Sequence, residues 1–311
     1  MIKNPLVVTL GDPSGVGPEV FLKAIFETSL RDHLDLITIV SSRKVISRIS
    51  NILKYDDIDS LKIIDVNLKH DFITGEPNKD NASYVIECLN KAADFAYKEK
   101  NSLVTGPINK KIISSQIAGF SGHTEFLKEK FGSEDVLMLL ANNSLKIGVA
   151  TTHVALKDVP QMIIKELIIN KCRLLNQGLK SLYEIDNPKI AVLGLNPHAG
   201  EEGSYGKEEI ESIKPAIADL QNEGLNIIGP ISADTAFISR DFDAYLSMYH
   251  DQALPVLKTL DFHHSVNITL GLPFNRVSVD HGTAQDIASK FIADYTSMLE
   301  AIKLAGNGNI A

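Results

Sequence analysis

Groups able to bind or transfer protons crowd one stretch of the chain, AYLSMYHDQALPVLKTLDFHHSVNITLGLPFNRVSVDHGTAQDIA, from Ala244 to Ala288. His250, Asp251, Lys258, Asn267, Arg276, Asp280 and His281 lie there along apolar runs, YLSM and VNITL, that read as buried strands. Polar groups at the ends of buried strands are costly unless they are paired or hold a ligand. A series of them, punctuated by Gly271, Pro273 and Gly282, suits a small anion. Arg276 offers a two-pronged fork to phosphate or carboxylate and Lys258 a point charge, with Asn267 as a neutral partner. Taken singly, each is an ordinary surface or ion-pair residue. Lys110 and Lys111, after TGPIN, could serve the same anion or simply open a solvated helix.

Three histidines share one context. His153, His198 and His250 each follow an apolar run: KIGVATTH, IAVLGLNPH and AYLSMYH. Ligands of open α/β sheets bind beyond the carboxyl ends of the strands, where three imidazoles could hold a metal ion with positions left open for substrate. The plainer alternative is that they cap loops. They are too far apart along the chain for a compact zinc-finger pattern. Asp251, beside His250, could orient that imidazole. Asp234, in SADT, reads by default as a helix cap. Asp280-His281 invites a charge-relay reading, but no serine or cysteine stands in an activated-nucleophile context. GDPSGVGPE, residues 11–19, joins a strand to a helix N-terminus. Its backbone N–H groups could cradle an anion, or it could be a tight turn without a ligand. Neither GxGxxG nor GxxxxGK[ST] occurs in the chain, so any dinucleotide must be held by another device.

Apolar runs at 5–10, 35–40, 61–66, 103–105, 136–140, 145–150, 190–195 and 227–230 predict the strands that position these groups. Helical spacing predicts helices over 18–30, 43–54, 79–100, 160–182, 207–223 and 284–304. The alternation indicates an α/β chain with a mostly parallel sheet. Asn142 and Asn143 between two strands predict a hairpin, and the tail GNGNIA is expected to fray. The chain has 311 residues, 44% hydrophobic, with a formal net charge of −8, which disfavours nucleic acid as a partner. Two cysteines inside helical patterns suggest reduced, packed thiols and a cytoplasmic setting. The N-terminal apolar run is far shorter than a membrane span and reads as a first buried strand.

Together the blocks GDPSGVGPE, TGPINK, GHTEFL, THVALKDV, GLNPHAGEEGSYGKEE, GPISADT, MYHDQALPVLK and VNITLGLPFNRVSVDHGTA resemble, in order, the 4-hydroxythreonine-4-phosphate dehydrogenase family of vitamin B6 biosynthesis. They cover residues 11–284. Ser14 and Val16 stand where the family commonly has Ala and Ile. The resemblance implies an isocitrate- or isopropylmalate-dehydrogenase-like fold of two α/β/α domains with a cleft between them. The expected divisions are 1–122 plus 264–311, and 123–263. It further implies a homodimer whose active site is shared between subunits. A divalent metal, zinc, magnesium or cobalt, would be held by His153, His198 and the partner subunit's His250. Substrate contacts would come from His123, Thr124, Lys258, Asn267 and Arg276, with NAD or NADP as the oxidant.

The implied reaction oxidises the 3-hydroxyl of 4-phosphooxy-L-threonine by hydride transfer. The β-keto acid so formed loses CO2 to give 3-amino-2-oxopropyl phosphate. Lys258 and Asp234 are the candidates for the proton transfers. A paralogue acting on another phosphorylated hydroxy acid, such as threonate 4-phosphate, would keep the same ligands. An acyltransferase on this fold would need no metal histidines, and a binding protein that has lost NAD would bind without turnover. No membrane partner is expected.

Overall fold

The computed structural model describes residues 2–309, and the chain divides into two compact units, 1–133 with 272–311, and 134–271. Among the described residues eleven strands run β1 (Leu6–Thr9), β2 (Ile37–Ser41), β3 (Lys62–Asp65), β4 (Ser102–Thr105), β5 (Leu137–Ala141), β6 (Lys146–Thr151), β7 (Ile190–Leu193), β8 (Ile227–Ile231), β9 (Ala244–Tyr249), β10 (Val266–Leu270) and β11 (Arg276–Val279). The α/β class expected from the alternation is what the chain adopts.

In the first unit the strands are parallel and ordered β3-β2-β1-β4-β11. β1, β4 and β11 are buried at every position, as continuous runs such as LVVT require of a strand covered on both faces. The helix Ala82–Glu99 packs on β1, β2 and β4, and the helix Thr296–Asn307 on β4, β11 and β1. The turn after β1 interlocks with the one after β4. Gly11 has φ +78, and a Cβ there would lie 2.1 Å from the Pro107 carbonyl oxygen, so only glycine serves.

In the second unit the order is β10-β5-β6-β9-β7-β8. β5 pairs antiparallel with β10 and with β6 across the Asn142-Asn143 turn, and the remaining pairs are parallel. Leu140, Ile147, Val149, Leu193 and Tyr245 meet Leu254 and Leu257 of the helix His250–Leu260 in one buried cluster. The helix Lys165–Tyr183 packs on β5, β6, β9 and β10.

Three helices depart from the sequence expectation. The terminal one is broken into Gln285–Ala288 and Thr296–Asn307. Between them the backbone turns around a buried ion pair: Lys23 Nζ lies 2.7 Å from Glu19 Oε1 and donates to the carbonyls of Phe291 and Ala293, while the Ala293 N–H donates to Glu19 Oε1. Side chains thus satisfy the backbone groups that a helix would have paired internally. The helix expected over 160–182 is two, Val159–Met162 and Lys165–Tyr183, separated at the β-branched pair Ile163-Ile164 with Ile164 extended. The one expected over 207–223 opens as a π-turn, Glu209–Ile213, before Lys214–Asn222. Pro215 has no N–H for the carbonyl four residues back, and a wider turn makes room for its ring. The tail is tied down rather than frayed as far as it is described. Lys3 and Asn4 N–H donate to the Gly306 carbonyl, and the Asn4 and Asn275 amides to the carbonyls of Gly308 and Asn309. Ile310 and Ala311 lie outside the described residues. No described helix is long and apolar enough to cross a membrane.

Candidate functional site

The three strand-end histidines belong to the second unit, and its sheet order brings them to neighbouring strands. His153 follows β6, His250 follows β9 and His198 follows β7, and β9 pairs with both of the others. The rings of His153 and His250 have centroids 6.0 Å apart. With Thr151, Leu156 and Tyr249 they line a cleft of about 300 Å³. His198 lines an adjoining cleft of about 430 Å³ with Asn196, Ser232 and Asp234, and Tyr249 and Asp251 border both.

His250 Nδ1 lies 2.6 Å from Asp251 Oδ1. That contact fixes the ring and leaves Nε2 as the nitrogen able to ligate. The imidazoles are thus the right donors for a divalent ion, and two of them stand together. Among the described residues, however, no group of three His, Cys, Asp or Glu is assembled closely enough to hold a metal. Asp234 accepts from Ser232 Oγ at 2.5 Å. The Ser232 hydroxyl holds its carboxyl below the usual range, with a smaller contribution from His198. Asp234 sits in a turn and caps no helix.

His198 sits in an unusual backbone. Five consecutive residues, His198 to Glu202, have positive φ, between 41° and 79°, and Gly203 continues the run at 92°. Four of the five are not glycine, and left-handed backbone costs about 1–2 kcal/mol for each such residue. Such strain persists only where the surroundings enforce it, and it concentrates at functional sites.

Lys258 lies in the last turn of the helix that His250 opens, with Nζ 5.6 Å from the Phe262 ring centroid. Eight residues of helix at about 1.5 Å each set the backbones of His250 and Lys258 roughly 12 Å apart. The Asn142 amide donates to the carbonyls of Leu257 and Asp261 and caps that helix end. Asn267 Oδ1, on β10, is buried without a hydrogen-bond partner.

The other residues expected at the substrate belong to the first unit. His123 and Thr124 open the helix His123–Phe131 behind Gly122. Arg276 opens β11, is 3% exposed, and donates Nε and Nη2 to Thr105 Oγ1 at 3.1 and 2.6 Å. Burial pushes its pKa down to about 10, with Glu125 acting in the opposite direction. Burial first, then the charges of Arg276 and Lys110, hold His123 well below the ordinary imidazole value. Lys110 approaches the same place, since a Cβ built on Gly122 would lie 3.3 Å from its Nζ. Two cationic side chains, Arg276 and Lys110, and the neutral His123 imidazole therefore meet at one helix N-terminus beside the Glu125 carboxylate, in a chain whose net charge is −8. Such an arrangement suits an anion.

The GDPSG turn is different. Asp12 N–H donates to the Pro107 carbonyl, Ser14 N–H to Asp12 Oδ1, Gly15 N–H to the Asp12 carbonyl and Val16 N–H to the Thr283 carbonyl. Its amides are engaged within the protein, which favours the tight-turn reading over an anion cradle. His281 Nδ1 engages the Gly282 carbonyl rather than Asp280, so no relay forms.

Comparison with known proteins shows the family. The model of the PdxA family, described as pyridoxal phosphate biosynthetic protein PdxA, matches residues 16–305. The chain belongs to the PdxA family. A curated relative from a Sulfurihydrogenibium species, named 4-hydroxythreonine-4-phosphate dehydrogenase, is 42% identical over 96% of this chain and 97% of its own. The crystal structure of the Klebsiella pneumoniae protein of the same name superposes with a TM-score of 0.87 at 31% identity, covering 97% of both chains. A terephthalate 1,2-cis-dihydrodiol dehydrogenase from Burkholderia xenovorans is more distant, with a TM-score of 0.72 and 27% identity over 99% of both chains. Within this PdxA chain, sequence reasoning missed Thr105, Glu209 and Gln252. Thr105 bonds Arg276 from the paired strand, and Glu209 and Gln252 bond the backbone at Gly194 to Asn196 that leads to His198; no local pattern marks any of them.

Proposed function

We propose that the protein is a 4-hydroxythreonine-4-phosphate dehydrogenase that oxidises the 3-hydroxyl of 4-phosphooxy-L-threonine with NAD or NADP, the keto acid then losing CO2 to give 3-amino-2-oxopropyl phosphate. The observation that carries the reading is the basic cluster at the N-terminus of the helix His123–Phe131, set in a family whose named members act on a phosphorylated hydroxy amino acid. Thr105 holds the Arg276 guanidinium in place ahead of ligand binding, so little order is lost when an anion binds. Thr124 and a neutral His123 supply hydrogen bonds beside it. Lys258 and Asn267 complete the substrate contacts.

His153, His198 and a His250 are the residues that would hold the divalent ion, and imidazole donors favour zinc or cobalt over magnesium. When bound, such an ion acts as a Lewis acid on the substrate oxygen. The reading takes the partner subunit's His250 into this set, which makes the protein a homodimer with a shared site. The same chain's His250, 6.0 Å from His153, is the specific alternative. Of the proton carriers, Asp234 is a weaker base than an ordinary carboxylate because Ser232 stabilises its charge, which leaves Lys258 as the preferred one. A cytoplasmic location accords with two buried, unpaired cysteines.

The test is turnover of 4-phosphooxy-L-threonine with NAD+ and with NADP+, followed by reduced-nicotinamide absorbance. It is run on chelated protein and after resupply of zinc, cobalt or magnesium. Metal-restored reduction is expected. No reduction under any condition would overturn the reading, and faster turnover of threonate 4-phosphate would move the protein to the paralogue activity.

A further inference from the structure

The residues around His198 contain a buried carboxylate with no role in the reaction just described. Glu209, the first residue of the π-turn, is 1% exposed. Its Oε1 accepts from the N–H groups of Leu195 and Asn196, both at 2.8 Å, and its Oε2 from Asn196 Nδ2 at 2.9 Å. The same Asn196 amide donates to Glu208 Oε2 at 2.7 Å. Glu209 therefore grips the last two residues before Pro197 and His198. The left-handed run closes over it: a Cβ on Gly200, φ +79, would lie 2.6 Å from Glu209 Oε2, so glycine is required where the run crosses the carboxylate.

A second clamp joins this loop to the neighbouring histidine. Gln252, in the first turn of the His250 helix, donates to the Gly194 carbonyl at 2.6 Å and accepts from the Met248 N–H at 2.7 Å. Thr151 Oγ1 donates to the Met248 carbonyl at 2.7 Å and ties in the strand that ends before His153. The ends of β6, β9 and β7 are thus linked by side-chain hydrogen bonds, and Glu209 is the member that secures His198.

We propose that Glu209 is a positioning residue for His198: its buried carboxylate holds the entry to the left-handed turn and so fixes where the His198 imidazole stands for metal binding. The inference rests on the proposed metal role of His198. Glu209 itself touches neither metal nor substrate. Its carboxylate accepts at least three N–H bonds, and an amide in its place would turn one N–H donor against the Asn196 amide. The His198 turn would then relax toward ordinary backbone.

The test is direct titration of chelator-stripped protein with Co2+, followed by its visible absorption, for the wild type, His198→Ala, Glu209→Gln and Gln252→Ala, with far-UV circular dichroism and Tm alongside. Partners that orient metal ligands typically change affinity by roughly 10–100-fold when removed. That loss is expected for Glu209→Gln, with an altered Co2+ spectrum, native circular dichroism and a lower kcat at unchanged KM for substrate. Wild-type Co2+ affinity and spectrum in a folded Glu209→Gln protein with only a lowered Tm would overturn the proposal, since the carboxylate would then be structural alone. If His198→Ala binds Co2+ as the wild type does, the metal assignment fails instead, whatever Glu209→Gln shows. Should Glu209→Gln not fold, Asn196→Ala decides: it removes one of the three bonds, a several-fold weakening is expected, and wild-type affinity overturns the proposal.

Discussion

Replacement of Arg276 tests the anion site most directly, because its side chain is buried and already held by another residue. The guanidinium places two N–H groups on Thr105 Oγ1 and keeps its charge at neutral pH, since burial lowers its pKa only to about 10. A two-pronged contact with phosphate or carboxylate carries two charge-assisted bonds, each worth about 1.5–3 kcal/mol. Lys preserves the charge but cannot reproduce the fork. Arg276→Lys should therefore lower kcat/KM for the phosphorylated substrate by roughly ten- to a hundred-fold, and Arg276→Ala by roughly a hundred- to ten-thousand-fold, at about 1.4 kcal/mol per factor of ten.

Arg276→Ala also strips the buried Thr105 hydroxyl of both donors, at a stability cost of about 1–3 kcal/mol. Kinetics should therefore be measured well below the Tm of the variant, with the folded fraction checked. An independent readout lies next door. Arg276 is one of the charges that hold the His123 pKa down, so its removal should move the His123 titration upward by NMR, though burial keeps it below the ordinary value. Unchanged kcat/KM for substrate with a raised KM for NAD(P)+ would refute the reasoning and move Arg276 to the nucleotide site.

Three further outcomes are expected. Mixing inactive His153→Ala protein with inactive His250→Ala protein should restore part of the activity if the site is shared, because one site of each hybrid dimer is intact; no recovery after confirmed subunit exchange favours the same-chain pair, 6.0 Å apart. The neutral, buried His123 should make the native state less stable as pH falls from about 6.5, since the unfolded imidazole takes up its proton first. His123→Asn should flatten that slope in urea unfolding between about pH 6.5 and 5, and an unchanged slope would contradict the pKa direction. Cys88 and Cys172 are buried, with thiols pushed up to about 12, so a thiol reagent at pH 8 should titrate them only after unfolding.

Many of these features are legible in the sequence because they are written locally. Apolar runs of four to six residues define strands, and the residue that follows such a run in an α/β chain stands at the strand's carboxyl end. Local pattern alone therefore puts His153, His198 and His250 at the carboxyl edge of the sheet. The Asn142-Asn143 hairpin and the helix opening at Gly122 are equally local signals. Helix interruptions are not legible, because their causes are distant. The terminal helix is broken by Glu19 and Lys23, which capture its backbone groups from the far end of the chain.

The sequence by itself determined most element types, the candidate basic and imidazole side chains and the family, since periodicity and motif order need no knowledge of neighbours. Tertiary structure decided which donors meet. The β6-β9-β7 order puts three histidines on adjacent strand ends although long stretches of chain separate them. Thr105 and Arg276 touch because β4 and β11 are paired, and Glu209 reaches the His198 entry because a π-turn folds it back under the loop. Such pairings depend on strand order and loop path, which are set by the packing of the whole unit and leave no pattern within the few residues that any local reading can compare.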